Sequence, residues 1–202
     1  MISLTMVFIA FVSGSLPFSV WLGKLFLKVD VRKVGDGNPG AANVFRSGSK
    51  IIGALALCLD ISKSAAPVGL AYYNLGIRGI PMYLITIAPI LGHVFSPFLG
   101  FRGGKAIAAS LGVWIGLTIW KASLAGIIGT VIGITLMTSA GWAVMLGLAM
   151  ILITLLFWMP DQLLLTVWVS ETIILAWTHR SELQKKPTLR PWLTKRFTPK
   201  HS

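Results

Sequence analysis

The chain has 202 residues, 55% of them hydrophobic and only 12% charged, with a formal net charge of +12. A soluble domain carries roughly 25% charged residues, so this deficit excludes an ordinary water-soluble globule and points to a surface that faces lipid. The single cysteine, Cys58, excludes an internal disulfide framework. The basic residues lie between apolar stretches, which fits membrane topology and anionic headgroups rather than nucleic acid.

A helix needs about 20 apolar residues to cross a bilayer, with a range of roughly 17–25. Segments at 3–23, 52–75, 80–99, 105–120, 122–138, 141–159 and 162–178 meet or approach that length. The first is too long for the apolar part of a secretory leader and has neither a basic stretch before it nor a cleavage site after it, so a retained span is expected. Its inner half carries Ser13, Gly14, Ser15, Pro17 and Ser19. Small residues let helices approach closely, and proline frees a backbone carbonyl. The second span holds Asp60 and Lys63, three apart and able to pair locally. A structural or supporting role is expected for them rather than catalysis. Lys121 alone separates the fourth and fifth segments, and Pro160-Asp161 the sixth and seventh. Such tight turns join antiparallel helices.

Lys24, Lys28, Arg32, Lys33, Arg46 and Lys50 follow the first span, Arg102 and Lys105 the third. Arg180, Lys185, Lys186, Arg190, Lys195, Arg196 and Lys200 follow the seventh, whereas the opposite side holds only Arg78 and Lys121. The positive-inside rule predicts an all-α integral membrane protein with seven transmembrane helices, N-terminus outside and C-terminus cytoplasmic. Residues 1–179 form the membrane body, and 180–202 a basic tail expected to be interfacial or partly disordered. No inverted repeat of broken helices is apparent.

The first connection is too elaborate for a tether. Between residues 35 and 43 it packs Gly35, Gly37, Asn38, Pro39, Gly40 and Asn43 around Asp36. Such a backbone is tight and can point successive N–H groups at an anion. Asn43 and Arg46 share a face if the chain turns helical after Gly40. A plain turn whose arginines only set topology has the same composition. In the third connection, Gly103 and Gly104 directly precede Lys105 at the opening of the fourth helix, a second potential anion site. It is not a Walker A loop, because Leu99 and Ala106 stand where glycine and Ser or Thr are needed. His93 is either a capping or packing histidine or part of this site, and Lys105 could instead be a snorkelling topology residue. HExxH, Cys-x-x-Cys and GxSxG are absent, which leaves zinc and serine hydrolase chemistry without support. The His-x-x-x-x-Asp pattern of coenzyme A-dependent acyltransferases is absent as well: Phe98 and Gln184 stand five residues beyond His93 and His179.

Gly14-Ser15-Leu16-Pro17-Phe18, the stretch from Arg32 through Gly35-Asp36-Gly37-Asn38-Pro39-Gly40 to Arg46, Leu59-Asp60-Ile61-Ser62-Lys63, and Gly92-His93 through Gly103-Gly104-Lys105 occur in this order. Together they resemble the bacterial acyl-phosphate:glycerol-3-phosphate acyltransferases, most strongly over residues 1–115. The resemblance implies transfer of an acyl group from acyl phosphate to the sn-1 hydroxyl of glycerol 3-phosphate. The product is lysophosphatidic acid, a phospholipid precursor, and the expected location is the bacterial cytoplasmic membrane with the active face inside. It implies no cofactor and no metal, and as partners the two substrates and the bilayer. Carried over by position, Lys105, Arg46 and His93 would be catalytic. Gly35, Asp36, Gly37, Asn38, Gly40, Asn43, Gly103, Gly104, Ser139 and His179 would contact substrate. Gly37 and Gly40 would present backbone donors, and Ser15, Asp60, Lys63 and Glu182 would support the site.

Three positions depart from the family pattern: Asp36 replaces a serine, Ala42 a threonine and Glu182 an asparagine. A carboxylate a few ångströms from phosphate costs about 1–4 kcal/mol at surface-like dielectrics unless neutralised. Either basic residues pair with these carboxylates, or the acceptor differs, or activity is lost. The alternative function is a divergent, non-catalytic or transport-type membrane protein that binds a phosphorylated solute.

Overall fold

A computed structural model describes residues 2–194, with Thr194 described by its backbone alone. The tail residues Lys195, Arg196 and Lys200 lie outside the described residues. The described chain is helical, and its only β pairing is an isolated bridge between Met137 and Leu189. It divides into two compact units, Met1–Trp120 and Lys121–Ser202.

The first unit opens with α1 (Ile2–Ser15) and α2 (Phe18–Phe26), which together make one long apolar segment broken at Leu16–Pro17. Pro17 has no N–H to continue the α-helical ladder, so the turn closes more tightly, with Leu16 N–H on the Ser13 carbonyl at 3.2 Å. A short 3-10 turn (Val31–Lys33) and α3 (Ala41–Arg46) follow. Next comes α4 (Lys50–Gly69), which widens into a π turn over Leu70–Asn74. Then come α5 (Gly79–Val94), a 3-10 turn (Pro97–Leu99) and α6 (Ile107–Thr118). α1 packs against α5 and α4, and α4 against α6. The α1–α5 crossing brings backbones together: a Cβ at Gly14 would overlap the Pro89 backbone, and one at Gly92 the Phe11 carbonyl. Small residues at helix crossings are how membrane helices gain packing when lipid offers no hydrophobic drive.

The second unit contains α7 (Lys121–Leu136), α8 (Ala140–Trp158), α9 (Gln162–Thr178) and the short α10 (Arg180–Leu183). α7 and α8 form a close hairpin, and Asp161 caps α9 by accepting the Leu164 N–H at 3.0 Å. Part of the tail is tied down rather than free. Thr138 N–H donates to Thr188 C=O, Trp142 Nε1 to Lys185 C=O, and Arg190 N–H to Leu136 C=O.

Each apolar segment read from the sequence coincides with a helix. Ile2–Phe26, Lys50–Asn74, Gly79–Leu99 and Ala140–Trp158 are long and apolar enough to cross a membrane. α6, α7 and α9 are shorter, at 12, 16 and 17 residues. At a rise of 1.5 Å per residue α6 extends only about 18 Å against a hydrocarbon layer of about 30 Å. The reason lies at its ends, where Ala106 and Ile119 adopt positive φ and stop the helix on both sides.

Candidate functional site

The glycine-rich loop folds back on itself. Val34 and Gly37 close a tight turn through Gly37 N–H on the Val34 carbonyl at 3.0 Å. Gly35 holds φ +58°, and a Cβ there would meet the Arg46 guanidinium and the Asn43 side-chain oxygen. Glycine is therefore needed both for the conformation and for the space. Gly40 caps α3, whose single turn carries Asn43 and Arg46 on one face. Arg46 Nη1 donates to Asn43 Oδ1 at 3.0 Å, and Asn43 Nδ2 to the Asn38 carbonyl at 2.9 Å. Asn43 is buried and acts as the internal brace of the loop.

The second loop lies across the end of α5. Gly103 and Gly104 donate their N–H groups to the Val94 and His93 carbonyls at 3.0 and 3.1 Å. A side chain at Gly103 would strike the His93 carbonyl, and one at Gly104 the His93 imidazole. The glycine pair thus lets the loop that leads into Lys105 run directly against buried His93. The two loops are joined by Lys105 N–H, which donates to Asn38 Oδ1 at 3.0 Å.

These bonds alter the sequence-based picture in one respect. The N–H groups of Gly37, Gly40, Gly103 and Gly104 are expected from the sequence to point at an anion, but each is engaged by a carbonyl of the loops or of the end of α5, Gly40 by Asn38 at 2.8 Å. A backbone this tight must satisfy its own donors. α6 also starts at Ile107 rather than at Lys105. The groups left to meet an anion are side chains, together with the Asn38 N–H.

Those side chains converge on Asp36. Its Oδ2 accepts from Lys105 Nζ at 2.8 Å. Its Oδ1 accepts from Asn43 Nδ2 at 3.1 Å and from Asn38 N–H at 3.3 Å, with Arg46 Nη1 at 3.7 Å. Partial burial pushes the Asp36 carboxyl up, but the Lys105 ammonium and the Asn38 and Asn43 donors outweigh it, and the net shift is below the usual carboxylate value. Of the outcomes left open for Asp36, pairing with basic residues is the one found.

Behind the loops lies a buried polar cluster. Lys63 Nζ donates to Asp60 Oδ1 at 2.8 Å and to the Leu16 carbonyl at 2.7 Å. Ser19 Oγ donates to Asp60 Oδ2 at 2.5 Å, and Ser13 Oγ to the Lys63 carbonyl at 2.6 Å. Ser96 Oγ donates to the Ser15 carbonyl at 2.6 Å, while Ser15 Oγ turns to Val12 C=O. The carbonyls that the Pro17 break releases are thus taken by Lys63 and Ser96.

In the second unit, Glu182 Oε2 accepts Gly141 N–H at 2.6 Å. Buried His179 has Nδ1 2.8 Å from the Leu175 carbonyl, and Ser139 stands at the N-cap of α8. The arrangement brings Gly141, His179 and Glu182 together. The structure thus gathers the first-unit residues into one site and the second-unit residues into a cluster of their own. The sequence reading placed Ser19 only among the small residues of the first span and did not single out Ser96; their roles depend on partners 41 and 81 residues away. It also missed Glu171, wholly buried in α9, although an acid inside an apolar segment is itself a signal.

The chain matches a family model described as glycerol-3-phosphate acyltransferase over residues 4–186. It is 44% identical over 138 residues to a glycerol-3-phosphate acyltransferase of Anaeromyxobacter dehalogenans, covering 65% of this chain and 67% of that one. With a glycerol-3-phosphate acyltransferase of Nitrosomonas eutropha it shares 34% identity over 186 residues, covering 91% and 92%. It also resembles the crystal structure of PlsY, an integral membrane glycerol 3-phosphate acyltransferase. In the glycerol 3-phosphate form the TM-score is 0.83 at 26% identity, covering 98% of this chain and all of that one. In the lysophosphatidic acid form the TM-score is 0.80 at 25% identity, covering 97% and 94%.

Proposed function

The chain belongs to the glycerol-3-phosphate acyltransferase family, and from that membership and its site we infer how it works as an acyltransferase on glycerol 3-phosphate. It is a multi-pass integral membrane protein. We propose that the donor is an acyl phosphate and that the product is 1-acylglycerol 3-phosphate. The observation that carries this is the convergence of Lys105, Arg46, Asn43 and Asn38 on a single oxyanion, at present the carboxylate of Asp36.

Lys105 and Arg46 hold phosphate and stabilise the charge that develops as the acyl–phosphate bond breaks. Asn38 and Asn43 fix the loops around it, and Gly35, Gly37, Gly40, Gly103 and Gly104 give those loops their shape. His93 lines the site where α5 meets Lys105. The glycerol hydroxyl attacks the acyl carbon, the C–O bond to phosphate breaks, and the hydroxyl proton leaves with the released phosphate. An acyl phosphate is already activated, so positioning and charge stabilisation supply the rate without a cofactor. Ser15, Asp60 and Lys63 support the site from within the membrane. In the second unit, Ser139 and His179 are proposed substrate contacts, and Glu182 fixes the turn that carries them.

We place the protein in the bacterial cytoplasmic membrane with seven spans in residues 1–179, the N-terminus outside, and the loops and basic tail 180–202 at the cytoplasmic face. The asymmetry of Lys and Arg supports this orientation. The test is direct. Purified protein given palmitoyl phosphate and glycerol 3-phosphate should form lysophosphatidic acid, and Lys105→Ala and Arg46→Ala should each lower kcat/KM by about 100-fold or more, as loss of a charge-stabilising donor does. Absence of product from wild type, where another family member works, would refute the reaction. Full activity in both variants would refute the site.

A further inference from the structure

We propose that Asp36 is a built-in anion that occupies the phosphate seat between Lys105 and Arg46, so that a phosphorylated substrate binds by displacing it. This rests on the reading that those cations receive phosphate. The carboxylate takes the contacts such a phosphate would need: the Lys105 ammonium, the Asn43 amide, the Asn38 N–H and the edge of the Arg46 guanidinium. Lys105 reaches it across 69 residues of sequence, so the contact is long-range and is not imposed by the turn itself.

Two features make the carboxylate displaceable. Asp36 sits at the tip of a tight turn between two glycines of positive φ, Gly35 at +58° and Gly37 at +76°. Glycine is the residue that changes such angles most freely. The side chain is also 42% exposed, so an incoming ligand can approach and the carboxylate can leave into water without burying an unpaired charge. The scaffold that presents the cations has bonds of its own besides those to Asp36. Arg46 is braced by Asn43, Asn43 by the Asn38 carbonyl, and Lys105 N–H by Asn38 Oδ1. The seat therefore persists when Asp36 departs.

Asp36 consequently sets affinity. A phosphate carries more charge than one carboxylate and can outcompete it, but must first break the Lys105 pair and then tolerate a like charge nearby. Removing the carboxylate relieves both. Asparagine at this position retains an oxygen for the Asn38 and Asn43 hydrogen bonds and loses the charge and the acceptor that holds Lys105.

The experiment is titration calorimetry of glycerol 3-phosphate into purified full-length protein in detergent, beside steady-state kinetics. Asp36→Asn and Asp36→Ser should bind glycerol 3-phosphate about tenfold more tightly than wild type, with KM falling and kcat not rising in parallel. Equal or weaker binding by folded Asp36→Asn overturns the proposal. If Asp36→Asn fails to fold, Asp36→Ser carries the test; if neither folds, Asp36 serves the fold and the proposal falls. Lys105→Ala separates the two layers. Wild-type binding by Lys105→Ala sinks the phosphate seat itself. Lost binding there, with Asp36→Asn unchanged, sinks only the displacement.

Discussion

Two carboxylate–lysine pairs in the first unit have the same separation and opposite surroundings. Asp60 and Lys63 meet at 2.8 Å with side chains only 2% exposed. Asp36 and Lys105 also meet at 2.8 Å, at 42% and 24% exposure. The buried pair is further bonded by Ser19 and the Leu16 carbonyl. The exposed pair has longer supporting contacts, 3.1 Å to Asn43 and 3.3 Å to Asn38, and is open to water. Bond length therefore says little about role. What the surrounding groups permit each pair to do decides whether it is architecture or a binding seat.

The largest effect expected on stability follows from breaking the buried pair. Lys63→Met leaves buried Asp60 without its cation and strips the Leu16 carbonyl of its donor. Removing one partner of such a pair costs about 3–5 kcal/mol. Thermal unfolding in detergent should show a large drop, with a smaller one for Ser19→Ala, which keeps the ion pair. A Lys63→Met protein as stable as wild type would show that the cluster does not hold the α1–α2 break.

How much of this was legible in the sequence depends on the range of the interaction. Apolar length placed the helices, and Pro17 with its flanking serines and glycine marked the break in the first span. The spacing of three marked Asp60 and Lys63 as a possible pair, because helical geometry is local. By contrast, nothing near Asp36 says that its counter-ion is Lys105, and nothing near Ser96 says that it caps Ser15. Those contacts exist only once α5 has packed on α1. The direction of the glycine N–H groups was misjudged for the same reason. Composition announces a tight turn, but whether its donors face a ligand or close the turn is a matter of three-dimensional register.

A third pair lies between the extremes. Asp30 binds Arg32 through two side-chain contacts, at 2.9 and 2.7 Å, and also caps the 3-10 turn by accepting Arg32 N–H at 3.1 Å. The Arg32 side-chain hydrogen bond holds the Asp30 carboxyl well below its usual range. Exposure to solvent limits what the pair is worth, so Asp30→Ala should lower stability by about 1 kcal/mol, most of it from the lost cap. A depressed carboxylate stabilises the fold fully above its unfolded value of 3.8 and loses that contribution as pH falls below it towards the folded value. The gap between wild type and Asp30→Ala should thus hold constant from neutrality to about pH 5 and narrow only in stronger acid. A gap that closes near neutrality would assign it to another group.

The smallest stability effect belongs to a residue that is expected to tune ligand binding. Asp36→Asn removes an exposed ion pair, and such pairs contribute about 0.2–1 kcal/mol. Asparagine retains an acceptor for Asn38 and Asn43, so the loop keeps its braces. The melting temperature should hardly move, while glycerol 3-phosphate binds more tightly. The Asp36 carboxyl is shifted downward, so any stability it adds is complete above the unfolded value of 3.8 and disappears only as pH falls through the folded one. Neutral-pH melts therefore compare the charged carboxylate with its neutral isostere directly. Raising salt should narrow the remaining difference, because an exposed pair is screened, and should leave the Lys63→Met deficit nearly intact, because a buried one is not. If Asp36→Asn instead melts as far below wild type as Lys63→Met does, exposure fails to separate seat from scaffold, and the two pairs are alike after all.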